Sequence, residues 1–251
     1  IFCLAEQIEA EVGGVIDLAF EIYGRFGLTD IELELSTRPD HSIGTEEQWD
    51  VATKALERVL AKRNQAYKLH PGEGAFYGPK IDFHIKDSLG RRWQCATIQL
   101  DFAMPERFDL EYNAADGTRK RPVMIHRTVL GSVERFLGIL IEHYAGALPL
   151  WLSPVQAVVL PISDAVGAYA REIAGKLKAA GVRVEVDERS ETVNNKIRQA
   201  EVMKIPYMLV VGKREAENGS VSVREHTKGD LGASAVEEVV AKLSEVAEKS
   251  L

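Results

Sequence analysis

The chain has 251 residues, of which 45% are hydrophobic and 27% charged. This balance excludes a disordered chain and suits one large domain or two of ordinary size. A formal net charge of −7 argues against non-specific nucleic-acid binding over the whole surface, although a local basic patch can still steer phosphates.

In chain order, Leu4 to Phe26 carries apolar residues at helical spacing (Leu4, Ile8, Val12, Val15, Ile16, Leu18, Ala19, Ile22 and Tyr23), and Gly24 and Gly27 punctuate it. IELEL, Ile31 to Leu35, alternates strictly and predicts a half-buried strand. Thr45 followed by two glutamates predicts a helix running to about Lys62. Several strand-like runs follow. KIDFHIKD (Lys80–Asp87) sets Ile81, Phe83 and Ile85 against polar partners, and SLG makes a tight turn into RRWQCATIQLDF (Arg91–Phe102). Strict alternation there places Trp93, Cys95, Thr97, Gln99 and Asp101 on one face and Gln94, Ala96, Ile98 and Leu100 on the other. FDLEY, the turn AADGT and RPVMIHR predict a further hairpin, and Val133 to Tyr144 a helix.

Pro149 and Pro154 flank WLS, a linker signal, and the rhythm changes after it. VQAVVLPI is a continuous apolar run suited to a strand buried on both faces. Asp164 caps a helix to Ala180, ended by Gly181; VRVEV, Thr192–Lys204 and PYMLVVG then predict a strand, a helix and a strand. A turn around Glu217–Gly219 leads to SVSVRE, and Ala235–Leu251 is an amphipathic helix. The fold class expected is α+β, a mostly antiparallel sheet with helices over residues 1–150, followed by an α/β domain over residues 151–251.

No stretch approaches the roughly 18 uninterrupted apolar residues of a membrane span. IFCLAEQ lacks the basic region of a signal peptide. Cys3 and Cys95 lie far apart in no CxxC pattern, so a reducing, cytoplasmic setting is expected. Two basic clusters, Arg91–Trp93 and Thr118–Pro122, are each either a phosphate-steering patch or a solvated strand end or hairpin.

Chemistry concentrates in two places. Thr97, Gln99 and Asp101 stand in a row at about 6.5–7 Å intervals, either an exposed polar sheet face or a covered face that reads a small polar ligand. GSVER leads into a helix whose first turn carries Glu134 and Arg135; a helix N-terminus with an arginine suits nucleotide phosphate, and an ordinary capped helix explains the same string. His126 taken alone is a hydrogen-bonded structural residue more often than a metal ligand. No P-loop, HExxH or nucleophile–base pair occurs.

GEGAFYGPKIDF, WQCATIQLDF, VMIHRTVLGSVERFLGILIEHYAG and WLSPVQ, in this order and spacing, closely resemble the threonyl-tRNA synthetase family, over essentially the whole chain. The resemblance implies the later part of a class II catalytic domain followed by an anticodon-binding domain. GSVER looks like motif 3 of class II synthetases, which sets Arg135 against the adenine and phosphates of ATP and Ser132 near the substrate carboxyl or adenylate. Gln94 and Thr97 match positions that hold the adenosine moiety; Tyr77, Lys80, Gln99 and Asp101 match the threonine pocket and its supports. His126 matches one of three ligands of a catalytic-site Zn2+. Such a metal has a clear purpose, because an apolar pocket rejects an isostere poorly, whereas ligation of the threonine hydroxyl discriminates against valine. Mg2+ is implied with ATP, and the family acts as a homodimer on threonine, ATP and tRNA(Thr).

VEVDERSETVNNKIRQAE and PYMLVVGKREAENGSVSVRE resemble the family's anticodon-binding module, in which Arg198, Glu215 and Arg224 match positions that read or place anticodon bases. There are departures: Ala96 stands where a glycine is common, and Ser190 and Thr192 where Asn and Lys are common. The family's motifs 1 and 2 and the other two zinc ligands, a Cys and a His, are expected upstream of residue 1. These residues alone are therefore not expected to complete the ligase reaction, and the alternative is a non-catalytic module that binds tRNA or structured RNA.

Overall fold

A computed structural model describes residues 1–248. The chain divides into two compact units, Ile1–His143 and a second beginning at Tyr144.

The first unit opens with β1 (Phe2–Cys3), a 3-10 turn at Ala5–Gln7, and α1 (Ile8–Arg25). After β2 (Ile31–Ser36) comes α2 (Glu46–Lys62), started by reciprocal capping. Thr45 Oγ1 accepts from the Gln48 N–H at 3.2 Å, and Gln48 Oε1 accepts from the Thr45 N–H at 2.9 Å. Then follow β3 (Tyr67–His70), β4 (Lys80–Lys86), β5 (Arg92–Asp101), α3 (Ala103–Arg107), β6 (Tyr112–Asn113), β7 (Arg119–Lys120), β8 (Val123–Thr128) and α4 (Val133–His143). Six strands form one sheet in the order β1-β8-β5-β4-β2-β3, antiparallel except for the β2–β3 pair.

Alternation sends Leu33, Leu35, Ile81, Phe83, Ile85, Ile98 and Leu100 into the core. From α1, Val12, Ile16, Ala19 and Tyr23 are buried too; Phe20 meets Phe83 edge-on at 5.9 Å, and Tyr23 stacks on Phe136 of α4 at 6.3 Å. Each of the larger aliphatic and phenylalanine side chains among these contributes about 1.5–3 kcal/mol on burial. The Tyr23 hydroxyl is satisfied inside the core by donating to the Val129 carbonyl at 2.6 Å.

Two expectations for this unit are corrected. The first concerns β5, where the register against β4 runs Thr97↔Asp82 and then Gln94↔His84. Three steps on β5 oppose two on β4, which is a β-bulge. The extra residue breaks the alternation, so Gln94 joins Thr97 and Gln99 on the polar face, while Trp93 pairs with core-facing Ile85 and Cys95 is buried. The second concerns the later hairpin, which is only β6 with β7; the chain beyond Pro122, which has no N–H to give a ladder, leaves it to pair with β5 as β8.

The second unit contains β9 (Ala157–Pro161), a 3-10 turn at Asp164–Val166, α5 (Gly167–Ala179), β10 (Val184–Val186), α6 (Val193–Val202), β11 (Tyr207–Val211), α7 (Lys213–Asn218), β12 (Ser220–Glu225), β13 (Gly229–Ala235) and α8 (Val236–Glu248). The sheet order is β10-β9-β11-β12-β13, with β10, β9 and β11 parallel. β9 is buried on both faces, as its apolar run predicts. Ala157 and Val159 join a core with α5 and α8, and Val158 and Leu160 join one with Ala200 and Ile205 beside α6. The end of the helix expected to reach Leu251 lies outside the described residues.

Candidate functional site

The polar face of the first sheet is organised by carboxylates. Asp82, on β4 and only 3% exposed, sits opposite Thr97. Its Oδ1 accepts from Gln94 Nε2 at 2.6 Å and from the Thr97 hydroxyl at 2.7 Å, and Lys80 Nζ reaches its Oδ2 at 2.6 Å. Gln94 Nε2 also donates to Thr97 Oγ1 at 3.0 Å. Three expected site residues, Lys80, Gln94 and Thr97, thus meet at one buried anion that the sequence reading passed over. The signal was available: Asp82 is the charged residue between Ile81 and Phe83, on the face that alternation turns away from the core.

A second cluster lies along the same face. Gln99 pairs with His126 across β5 and β8, and the Tyr77 hydroxyl donates to Gln99 Oε1 at 2.5 Å. The Tyr77 and His126 rings meet edge-on at 5.6 Å. Burial, then the charge of Asp101, pushes the Tyr77 hydroxyl above its ordinary pKa, so it is a neutral donor. The loop carrying Tyr77 lies flat on β5 because of Gly78, where a Cβ would sit 1.7 Å from the Leu100 carbonyl oxygen. Asp101 is fully buried; Oδ1 accepts from the N–H groups of Ala103 and Met104, both at 2.9 Å, and Oδ2 lies 2.8 Å from His126 Nε2. Thr97, Gln99, His126, Arg127 and Thr128 line an open cavity of about 330 Å³.

GSVER forms the turn into α4. Gly131, at φ 69°, brings the turn against β5, where a Cβ would lie 2.9 Å from the Cys95 carbonyl oxygen. Ser132 Oγ accepts from the Arg135 N–H at 3.3 Å and donates to Glu134 at 2.8 Å. The Arg135 guanidinium donates to the Gln94 carbonyl oxygen at 2.6 Å and lies 6.0 Å from the Trp93 ring centroid. It is exposed and cationic beside Gln94, within reach of an anion at the helix N-terminus. Burial raises the Cys95 thiol to about 11 despite Arg135, so it is no nucleophile.

Among the described residues no three His, Cys, Asp or Glu side chains come together in a way that could hold a metal. His126 fits one ligand position, since Asp101 fixes its orientation as outer-shell carboxylates do for metal-bound histidines. It does not make a Zn2+ site by itself, and no cluster among the described residues defines a position for Mg2+.

At both basic clusters the charge is locally balanced. Arg91 pairs with Asp87 and Glu142, and Arg92 with Glu32 and Glu34. Arg119, Lys120 and Arg121 pair with Glu111, Asp116 and Asp109.

In the second unit, Arg198 is exposed on α6. Both oxygens of Glu215 are engaged at the start of α7, accepting from the Gly212 N–H at 2.9 Å and from the Ser222 hydroxyl at 3.2 Å. Arg224 on β12 reaches Asp230 at 3.3 Å, and its buried Nε has no hydrogen-bond partner. No hydrogen bond joins these three residues to one another. Lys196, which no sequence pattern marks, is only 4% exposed, and its ammonium donates to the carbonyls of Pro161 and Asp187 at 3.0 and 2.9 Å. It lines a cavity of about 260 Å³ with Asp187, Arg189 and Gln199.

Comparison with known proteins gives the same division. Residues 1–144 match the tRNA synthetase class II core domain (G, H, P, S and T), and residues 156–246 match an anticodon binding domain. A threonine–tRNA ligase of Finegoldia magna is 55% identical over 243 residues, which is 97% of this chain and 38% of that protein. One of Desulforamulus reducens is 56% identical over 245 residues, 98% of this chain and 38% of that protein. The chain therefore spans well under half the length of these relatives. The crystal structure of the RNA binding domain of threonyl-tRNA synthetase from Cryptosporidium parvum Iowa II is 44% identical and superposes with a TM-score of 0.93, covering 98% of this chain and 62% of that one.

Proposed function

The chain belongs to the class II tRNA synthetase core-domain family, and from that premise we propose that it serves a threonine–tRNA ligase, holding threonine and ATP on its first unit and the tRNA anticodon on its second. The observation that carries this reading is the continuity of one polar face. Lys80, Gln94 and Thr97 gather on Asp82, Tyr77 and Gln99 lie beside His126 and Asp101, and Arg135 bonds the Gln94 backbone at the rim.

In this reading the threonine carboxylate attacks the α-phosphorus of ATP and pyrophosphate leaves; a ribose hydroxyl of the terminal adenosine of tRNA(Thr) then attacks the threonyl carbonyl and AMP leaves. No enzyme nucleophile takes part, so the chain contributes position and charge. Gln94 and Thr97 hold the adenosine, Arg135 faces phosphate charge, and Ser132 shapes the turn beside it. Tyr77 and Gln99 present polar atoms to threonine, while Asp101, its oxygens already occupied, acts as a support. His126 would offer one nitrogen to Zn2+, a Lewis acid suited to the threonine amino and hydroxyl groups. Arg198 and Arg224 face the anticodon, and Glu215 holds α7 in place. The setting is the cytoplasm; no described helix is long and apolar enough to cross a membrane.

A second reading, RNA binding without catalysis, rests on the second unit, whose residues 156–246 match an anticodon binding domain. Threonine-dependent ATP–pyrophosphate exchange, run with added zinc on the whole protein that carries these residues and beside a tRNA mobility shift, tests the two. Exchange that favours threonine over valine supports the ligase reading. A tRNA shift with no exchange supports the second.

A further inference from the structure

We propose that Asp82 is a positioning residue that locks the Gln94 side-chain amide with its carbonyl facing outward, so that this face of the sheet accepts hydrogen bonds from a ligand and donates none at that point.

Hydrogen-bond valence fixes the orientation of the amide. Asp82 is nearly inaccessible, and an ionised carboxylate only accepts. Gln94 approaches Asp82 Oδ1 to 2.6 Å and Thr97 Oγ1 to 3.0 Å, both through Nε2. Thr97 gives its own hydroxyl proton to Asp82 Oδ1 at 2.7 Å, so toward Gln94 it too is an acceptor. Both amide hydrogens are thereby used. Turning the amide over would set its carbonyl oxygen against a carboxylate oxygen at 2.6 Å, acceptor against acceptor. Lys80 at 2.6 Å from Oδ2 balances the charge and leaves the Oδ1 side to the other two. What remains for a ligand is Gln94 Oε1, on an exposed side chain and with no donor among the described residues.

The bulge in β5 is the backbone condition for this arrangement. Only the added residue lets Gln94 and Thr97, three apart in sequence, point to one face and reach the same carboxylate. The matching ligand group is a hydrogen-bond donor, a ribose hydroxyl or the exocyclic amine of adenine. That the donor belongs to a nucleoside rests on the function proposed above; the polarity of the amide does not.

The test is nuclear magnetic resonance on the labelled chain. The Gln94 side-chain amide protons are expected to exchange with water at least tenfold more slowly than those of exposed glutamines. Thr97→Val, close in shape, should release one of the two protons, and Asp82→Ala both, with Asp82→Glu restoring part of the protection. Gln94 protons that exchange like a free side chain in the wild-type protein overturn the proposal, whatever the variants do. Titration with adenosine then tests the ligand: Gln94→Met should weaken binding about tenfold, the equivalent of about 1.4 kcal/mol. Loss of that effect with 2′-deoxyadenosine, 3′-deoxyadenosine or purine riboside identifies the donor. A protected amide with no response to adenosine would keep the role of Asp82 and overturn the nucleoside assignment, and with it the function proposed for this face.

Discussion

Asp101 Oδ2 lies 2.8 Å from His126 Nε2, while Asp101 Oδ1 receives the N–H groups of Ala103 and Met104. One buried carboxylate thus starts α3 and fixes an imidazole on β8. Because a carboxylate only accepts, the neutral imidazole carries its proton on Nε2 and presents Nδ1 as the free lone pair.

Replacing that carboxylate separates its two duties. Asp101→Asn keeps an oxygen for the two N–H groups but turns an amide donor toward His126, which moves the imidazole proton to Nδ1. Long-range proton–nitrogen spectra should report the change of tautomer, with a stability loss of about 1–2 kcal/mol in urea unfolding. Asp101→Ala, which leaves both N–H groups unpaired, should cost about 3 kcal/mol. An unchanged tautomer in Asp101→Asn would contradict this account.

The close approach at Gly78 gives a second prediction. Gly78→Ala forces backbone against the Leu100 carbonyl and should cost about 2 kcal/mol or more, with displacement of Tyr77 from Gln99. Gly138, inside α4 with nothing within 4 Å of a built Cβ, is the control. Gly138→Ala should stabilise by about 0.5–1 kcal/mol. Thermal unfolding of both variants decides, and equal effects would mean that the loop does not lie on β5 as described.

Acid sensitivity should trace to Asp87, whose side chain is wholly inaccessible. Burial alone would raise its pKa, but hydrogen bonds from Trp93 and Arg91 outweigh burial and hold it at about 2. A carboxyl depressed on folding stabilises fully above its unfolded value of about 3.9, and that contribution is lost as pH falls through about 2. Between pH 4 and pH 2 the wild-type melting temperature should therefore converge on that of Asp87→Asn, with a clear gap at pH 7. A constant gap across that window would refute the assignment.

Much of this was legible from residue order. The helices α1 and α2, the doubly buried β9 and the α+β then α/β fold class follow from apolar spacing. The polar face was legible only in part. Thr97, Gln99 and Asp101 follow from alternation, but Gln94 was assigned to the wrong face, because a bulge arises from pairing with another strand and leaves no local mark. Asp82 was passed over for a related reason: a charge in an alternating strand looks solvated until the groups that cover it are seen. The motif strings carried the family. They did not reveal that Glu215 spends both oxygens on its own unit.

That last point separates two residues of the second unit. Arg198→Ala removes an exposed side chain and should leave stability within about 0.5 kcal/mol while weakening tRNA binding and lowering its salt dependence by about one unit of slope. Glu215→Ala should instead cost about 1–2 kcal/mol of stability. Filter binding across a salt series, with melting of both variants, checks the pair; a destabilised Arg198→Ala with unchanged binding would reverse the assignment.

The most direct test of the central claim is titration of the labelled chain with a non-hydrolysable threonyl-adenylate analogue, followed by nuclear magnetic resonance. The account predicts saturable shifts concentrated at Tyr77, Gln94, Thr97, Gln99 and Arg135, weaker with the valyl analogue. Saturable binding that leaves those five residues unperturbed, or no binding at millimolar analogue, would contradict it.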